Sequence, residues 1–359
     1  MAGEKWRIGD LPRLASALQE GDKQVLERIY DITESEGRTK PPPTMRPWLE
    51  ERFGGIGEVE LQRIIRVTNR VTLEEALFNP LRANRPIEVG PACVAVEFDE
   101  DILRDPLKWT PEDEFGRVRG KYCISGSNVA KYEGLHGVVV FDEPEPLRFS
   151  REQVSDYIDT GLAWAERARS TDPEARHFLF MWNCGERAGA SLPHGHAQVM
   201  VGRHMHYSKI EHLRRCAVSY RQCYQSSYFD DLYRVHSCLA CGFDKGGVRV
   251  LAHLTPVKEK EVLVMGADLS QSFKDRVYEV LACFRDDMGV NSFNLALVMP
   301  PLGEPIEDWI GFPVIARLVD RGGTKTAPSD IGTMELYAAS VISSDPFEVA
   351  RVVRRALTG

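Results

Sequence analysis

Two passages of the chain repeat the same order of apolar strands and amphipathic helices. The first contains "LHGVVVFD", a helix that begins at Ser150, then "HFLFMWNCG" and "HGHAQVMVG". The second contains "EVLVMG", a helix that begins near Ser270, then "SFNLALVMPP" and "GFPVIARLV". Ser150 and Gln153 have the spacing of a capping box, which favours a helix start. This repeated strand–helix–strand–strand order predicts an α+β protein with two similar halves, each an antiparallel sheet with a packed helix.

The N-terminal segment has a different pattern, and we expect it to be mostly helical. "LPRLASALQEGDKQVLERIYDIT" spaces its leucines, valine and isoleucines roughly as an amphipathic helix does. The prolines of "TKPPPT" interrupt this pattern, and "RPWLEERFG" and "EVELQRIIRVTNRVTLEEAL" are expected to resume it. The predicted organisation is a helical extension for oligomerisation or packing at 1–75, a first half at 76–235 and a second, degenerate half at 236–359.

Composition excludes several classes of protein. The net charge is −8 and 43% of the 359 residues are apolar, so the chain can build real cores but lacks the basic surface of a nucleic-acid binder. No run of 18 apolar residues predicts a membrane span, and the first residues lack the apolar core of a signal peptide. The eight cysteines are mostly single, which is typical of reduced thiols. We therefore expect a cytoplasmic protein.

The chemistry concentrates in "NCGERAGASLPHGHAQVMV", residues 183–201. In an extended segment His194, His196 and Gln198 lie on one side, while the alanine and valines between them face the other. The second passage reads "GFPVIARLV" at the corresponding place and has no histidine there. One half therefore keeps a polar row that the other lacks, which favours a functional role for these side chains.

The pattern N-x-G-x-x-x-G-x-S-x-x-H-x-H-x-Q resembles the histidine-triad superfamily, and within it the galactose-1-phosphate uridylyltransferase group, which also contains nucleotide phosphorylases. The resemblance covers about residues 60–355, and "NPLRANRP" at 79–86 is similar to the N-terminal substrate loop of that group. It implies that His196, the second histidine of the pair, is the nucleophile that attacks the α-phosphorus of a nucleotide. Hydrolases of the superfamily carry a third histidine where this chain has Gln198, which implies transfer to a phosphate rather than to water.

Other side chains are candidates for holding the phosphate. Ser191 joins His194, His196 and Gln198 in the catalytic set, and hydrogen-bond donors of this kind stabilise charge that develops on phosphorus. The candidate nucleotide-binding residues are Asn183, Gly185, Gly189, Asn79, Arg82, Arg85, Arg187 and Lys121. Weaker candidates are Arg63, Arg66, Arg70, Lys325, Thr326 and Glu335.

A metal site is a separate possibility. Uridylyltransferases of this group often hold zinc through a C-x-x-C pair, a strand histidine and the first histidine of H-x-H. This chain has no such cysteine pair before the repeat, so the resemblance leaves His194 to orient the loop. The one C-x-x-C is Cys238 and Cys241, which suits either a structural zinc site or two buried free thiols. His236, His253, His204 and His206 are the candidate additional ligands, and we expect no cofactor for the chemistry itself.

The resemblance implies a ping-pong nucleotidyltransferase. We expect exchange between a nucleotide sugar, a UDP-sugar first of all, and a sugar 1-phosphate. Phosphorolysis of an NDP-hexose or a dinucleoside polyphosphate is the alternative enzymatic reading, and a non-catalytic nucleotide-binding protein is the alternative outside enzymology. A homodimer is expected because partner subunits often complete the active site in that group.

Overall fold

The computed structural model describes residues 5–79, 81, 101–322 and 331–358. Within these ranges, none of the helices combines the length and apolar character needed to cross a membrane. The helices are α1 Leu11–Ser16, α2 Glu20–Ile29, α3 Arg46–Phe53, α4 Ile56–Glu60, α5 Pro106–Trp109, α6 Arg151–Thr171, α7 Ser208–Tyr224, α8 Tyr228–Cys238, α9 Gln271–Asp286, α10 Thr333–Tyr337 and α11 Pro346–Thr358. The strands are β1 Tyr30–Arg38, β2 Leu61–Asn69, β3 Glu75–Phe78, β4 Cys123–Ser127, β5 Leu135–Phe141, β6 Ala175–Cys184, β7 His196–Arg203, β8 Gly242–Lys245, β9 Val248–Ala252, β10 Val262–Gly266, β11 Phe293–Val298, β12 Val314–Asp320 and β13 Ser340–Ile342.

A nine-stranded antiparallel sheet forms the body of the protein. Its strand order is β4-β5-β7-β6-β11-β12-β10-β9-β8. Strands β4 to β7 come from the first half and β8 to β12 from the second, so the two halves meet where β6 pairs with β11. The order of strands and helices predicted from the repeated pattern is confirmed, as is the α+β class.

The two long helices of the halves cover one face of this sheet. Helix α6 begins with the predicted capping box, in which the Ser150 hydroxyl accepts from the Gln153 N–H and the Gln153 side chain accepts from the Ser150 N–H. Helix α9 begins at Ser270, whose hydroxyl accepts from the backbone N–H of Phe273. Each cap satisfies donors that a helix start otherwise leaves unpaired.

Aromatic side chains fill the space between the helices and the sheet. Trp164 of α6 is fully buried, and Phe180 and Trp182 of β6 and Phe293 of β11 belong to the same core. Because side chains alternate along a strand, the residues between these aromatics point to the opposite face of the sheet. A second, small apolar cluster, Leu103, Ile124, Val138 and Val140, lies apart from the main core.

The prediction of a mostly helical N-terminal segment is wrong for residues 30–38 and 61–69. These form β1 and β2, which pair antiparallel, and β3 and β13 complete a four-stranded sheet. In β2 the side chains of Ile65, Val67 and Asn69 are buried while Arg66 between them is exposed. This two-residue alternation, with β-branched side chains, favours a strand, whereas a short apolar run by itself fits either structure. Since β13 lies near the C-terminus, the segment is built into the second half.

Close packing against Trp164 predicts a cost for enlarging Gly137 on β5. An alanine Cβ there would lie 2.6 Å from Trp164 Cε2, and the buried indole has little room to move. We expect Gly137→Ala to lower the free energy of unfolding by about 1–3 kcal/mol, measured by urea denaturation. Gly134→Ala is the matched control, because an added Cβ would meet no atom of the described residues within 4 Å. Equal losses in both variants would contradict this packing argument.

Candidate active site

The alternation of polar and apolar side chains along β7 places two of the candidate residues on the face of the sheet away from the helices. His196 and Gln198 alternate with Ala197 and Val199, which belong to the main core. In the register of β5 with β7, Val140 pairs with His196 and Val138 with Gln198. The predicted alternation is therefore present, and His194 lies in the loop just before the strand.

His196 has the tautomer that a phosphorus nucleophile needs. Its Nδ1 lies 2.7 Å from the carbonyl oxygen of His194, and since a carbonyl only accepts, Nδ1 carries the proton and donates it. The lone pair therefore sits on Nε2. Burial lowers the pKa of His196, and the charge of His194 lowers it further, so the ring stays neutral near pH 7.

His194 is held by two acceptors. Its Nε2 lies 2.8 Å from the carbonyl oxygen of Phe141, and its Nδ1 lies 2.7 Å from the Asp101 carboxylate. These two contacts fix the orientation of the buried His194 ring two residues before His196. The second oxygen of Asp101 accepts from the Leu103 N–H, and Leu103 packs against Val138 and Val140 under the site.

Gln198 is oriented by a residue that the sequence analysis missed. His136 of β5 is fully buried, its Nδ1 accepts from the Tyr132 N–H at 3.0 Å, and its Nε2 lies 2.8 Å from Gln198 Oε1. Because Nδ1 is occupied by a donor, the proton sits on Nε2 and is donated to the Gln198 oxygen. Burial lowers the pKa of His136, which keeps this neutral form. The Gln198 amide nitrogen, which can only donate, is left for another partner.

Asn183 lies on β6, the strand next to the one that carries His196. In the register of β6 with β7 the last pair is Met181 with Gln198; Asn183 follows Met181 by two residues and His196 precedes Gln198 by two, so both side chains lie on the same face at this end of the strand pair. On its other side Asn183 pairs with Asn294 of β11, whose Nδ2 donates to Asn183 Oδ1 at 2.7 Å. Asn294 is a second residue that the sequence analysis missed, and it comes from the half without histidines.

The loop between β6 and β7 contains the remaining predicted residues. Gly185 has a φ of +85° and Gly189 a φ of +83°, backbone conformations that favour glycine. A Cβ on Gly185 would also lie 2.9 Å from the Ser292 hydroxyl oxygen of the second half. Ser191 is exposed in this loop, and Arg187 lies in the short helical turn Glu186–Ala188. Gly185, Gly189, Arg187 and Ser191 therefore lie in the one loop that joins Asn183 at the end of β6 to the histidines at the start of β7.

Other predicted binding residues lie elsewhere. Lys121 pairs with Glu152 in the first turn of α6, the helix that covers the opposite face of the sheet. Asn79 donates to Gln62 and lines a cavity of about 720 Å³ to which residues 183–198 contribute no described side chain. Arg82, Arg85, Lys325 and Thr326 lie outside the described residues. Arg63, Arg66 and Arg70 form ion pairs with carboxylates on neighbouring strands, and Glu335 accepts from the Gly332 N–H.

The cysteine pair does not fit a zinc site in the described part of the chain. Nowhere in that part do three or more His, Cys, Asp or Glu side chains come close enough together to hold a metal ion. His236, a candidate ligand, donates from Nδ1 to the Leu232 carbonyl oxygen and accepts at Nε2 from the Leu254 N–H. Cys241 is fully buried, and burial raises the pKa of its thiol, which opposes the thiolate that zinc binds.

Comparison with known proteins shows the fold. No family model matches the sequence, and no curated protein sequence matches it. The structure matches an ADP-glucose phosphorylase of Arabidopsis thaliana with bound ADP-glucose, with 15% identity and a TM-score of 0.60 over 79% of this chain and 96% of that chain. It also matches a GalT-like protein of Arabidopsis thaliana, with 13% identity and a TM-score of 0.57 over 80% and 97% of the two chains. A uridylyltransferase matches with 15% identity and a TM-score of 0.56 over 82% and 98%.

These matches extend over nearly the whole length of the known structures. The fold that the sequence resemblance implied is therefore confirmed, and at these identities the likeness concerns the fold. The chain has the fold shared by uridylyltransferases and ADP-glucose phosphorylase.

The tautomer of His196 predicts its behaviour on acidification. The pKa of His196 in the folded chain lies below that of an unperturbed histidine, about 6.5. We therefore expect a range of pH in which Nε2 is unprotonated in the folded chain while the same imidazole is protonated in the unfolded chain. Nitrogen chemical shifts of the imidazole, followed by NMR from pH 8 downward, measure this directly, with the urea-unfolded chain as reference. Because the unfolded state binds the proton first, His196 makes folding less stable as the pH falls through the unfolded value. A folded pKa at or above the unfolded one would contradict the assignment.

Proposed function

We propose that the protein transfers a nucleoside monophosphate through a covalent bond to His196 Nε2. The Nε2 lone pair attacks the α-phosphorus of a nucleotide donor, and the bond from phosphorus to the leaving phosphate oxygen breaks. A phosphate oxygen of an acceptor then attacks the same phosphorus, and the bond from phosphorus to Nε2 breaks. Two such displacements retain the configuration at phosphorus.

The observation that carries this proposal is the neutral His196, whose proton is on Nδ1, on the same face of the sheet as two oriented amides. The NH2 groups of Gln198 and Asn183 are both left for another partner, because a neighbouring donor occupies each amide oxygen. Donors aimed at the non-bridging oxygens of phosphorus stabilise the charge that grows there, and removal of one such donor typically costs about 3 kcal/mol in the barrier. The carbonyl oxygen of Phe141 and the Asp101 carboxylate hold the His194 ring two residues before the nucleophile.

The proposed donor is a nucleotide sugar, with a UDP-sugar as first choice, and the proposed acceptor is a sugar 1-phosphate. Phosphorolysis, in which inorganic phosphate takes the nucleotide, is the second candidate. It is favoured by the shared fold with an ADP-glucose phosphorylase. The two reactions use the same residues at His196 and differ in what discharges the intermediate.

Intact-protein mass spectrometry tests the covalent step. We expect incubation with UDP-sugars, ADP-sugars, nucleoside triphosphates or dinucleoside polyphosphates to add the mass of one nucleoside monophosphate, and His196→Ala to abolish the adduct. His204→Asn is the matched control, because His204 is exposed and asparagine tolerates its positive φ of 63°. Discharge by sugar 1-phosphates or by inorganic phosphate then separates transferase from phosphorylase. Binding of a nucleotide without any adduct would instead support a non-catalytic binding protein.

The His136–Gln198 hydrogen bond predicts a slower reaction when it is removed. In His136→Phe the Gln198 amide loses the donor that fixes its oxygen, so its NH2 is no longer held toward the phosphate. We expect the rate of adduct formation to fall about tenfold or more in a single-turnover assay. His206→Phe is the control, because His206 is equally buried and its ring contacts His177 and Trp309 outside the site. The same loss in both variants would indicate general destabilisation and remove His136 from the mechanism.

A further inference from the structure

The site in the first half is completed by side chains of the second half. Across the junction of the two halves, Asn294 of β11 pairs in register with Asn183 of β6. Its neighbours Phe293 and Leu295 point into the helix-covered core, so Asn294 lies on the face of the sheet that carries His196. Its Nδ2 donates to Asn183 Oδ1 at 2.7 Å and to the carbonyl oxygen of Ala188 at 2.8 Å.

The polarity of these contacts is fixed at both ends. Arg321 Nη1, which can only donate, lies 2.6 Å from Asn294 Oδ1, and the Ala188 carbonyl can only accept. Asn294 can satisfy both partners in one orientation of its amide and not in the reverse one. Asn183 must then present its oxygen to Asn294 on β11. Its NH2 group consequently points away from β11, to the side of β7, the strand that carries His196.

We propose that Asn294, held by Arg321, is a positioning residue that aims the Asn183 amide nitrogen at the phosphate on His196. The inference rests on the proposed function and assigns a role to the half that has no histidine pair. Asn294 does for Asn183 what His136 does for Gln198, because each occupies the oxygen of an amide and leaves its nitrogen for the substrate. Gln198 lies two residues after the nucleophile on β7, and Asn183 lies on the neighbouring strand β6.

The same segment of the second half also supports the loop that follows Asn183. The Ser292 hydroxyl donates to the carbonyl oxygen of Cys184 at 3.1 Å, directly before Gly185. The bond from Asn294 to Ala188 holds the loop one short turn later. A substitution at Asn294 can therefore act through Asn183 or through the loop, and the experiment has to separate these routes.

Two substitutions of Asn294 first distinguish an orienting role from a role limited to packing. Asn294→Asp keeps the shape but removes both donors and places acceptors against Asn183 Oδ1, which drives the Asn183 amide to turn its nitrogen toward β11. Asn294→Ala removes the partner without imposing a new orientation. We expect adduct formation on His196 to slow at least tenfold in Asn294→Asp and less in Asn294→Ala. A role limited to packing predicts the reverse order, because alanine leaves the larger gap, and that order would overturn the proposal.

A double-mutant cycle with Asn183→Ala gives the decisive comparison. If Asn294 acts through Asn183, Asn294→Asp should have little further effect once the Asn183 side chain is absent. The same tenfold loss in the Asn183→Ala background would overturn the proposal in favour of the loop. Asn291→Asp is the charge-matched control, because Asn291 is exposed three residues before Asn294 and should leave the rate unchanged.

Failure of the proposed function can be distinguished from failure of this inference. If the unmodified protein forms no adduct with any donor, the covalent reaction is wrong, and equilibrium binding of UMP and AMP becomes the measurement. We expect Asn294→Asp to weaken that binding at least severalfold while Asn291→Asp does not. Unchanged affinity in Asn294→Asp, or no binding of either nucleotide by the unmodified protein, would overturn the role of Asn294.

Discussion

The antiparallel pairing of β6 with β11 is the constraint on which the rest of the structure depends. It joins two halves into one nine-stranded sheet and makes β6 an interior strand with neighbours on both sides. Backbone hydrogen bonds on both edges fix the register of β6, and the register decides which side chains meet across the face. Asn183 consequently lies between β7, the strand that carries His196, and β11, where Asn294 is its partner.

The two halves use the same face of the sheet differently. In the second half Arg317 of β12 forms ion pairs with Glu261 at 2.6 Å and with Glu74 of the N-terminal segment at 2.8 Å. Charged side chains of the protein itself therefore pair with each other on this part of the face. Burial alone would raise the pKa of Glu261, but the attraction of Arg317 and the hydrogen bonds around it outweigh burial and lower the pKa to about 2. In the first half, the corresponding face presents a histidine and amides that still have donors or a lone pair to offer.

Local patterns were enough to predict the repeated elements, because the capping serines and apolar runs of each half act within one element. They failed for β2, where a short β-branched run fits a helix or a strand until its partner strand is known. The His196 site was identified from one contiguous segment. His136 and Asn294 were missed because their contacts span 62 and 111 residues of sequence, and only the strand register brings those pairs together. Asp101 was missed because its contact with His194 spans 93 residues and joins two segments outside the strands.

The oriented amides also bear on which acceptor the proposed intermediate admits. Because His136 occupies the oxygen of Gln198, that amide offers donors to a phosphate and no acceptor that could remove a proton from an attacking water. Asn294 likewise occupies the oxygen of Asn183, so this amide also offers only donors. Water must lose a proton as it attacks phosphorus, whereas a phosphate acceptor brings an oxygen that is already ionised. In the proposed reaction, these two amides therefore give no help to hydrolysis, and an anionic acceptor is favoured.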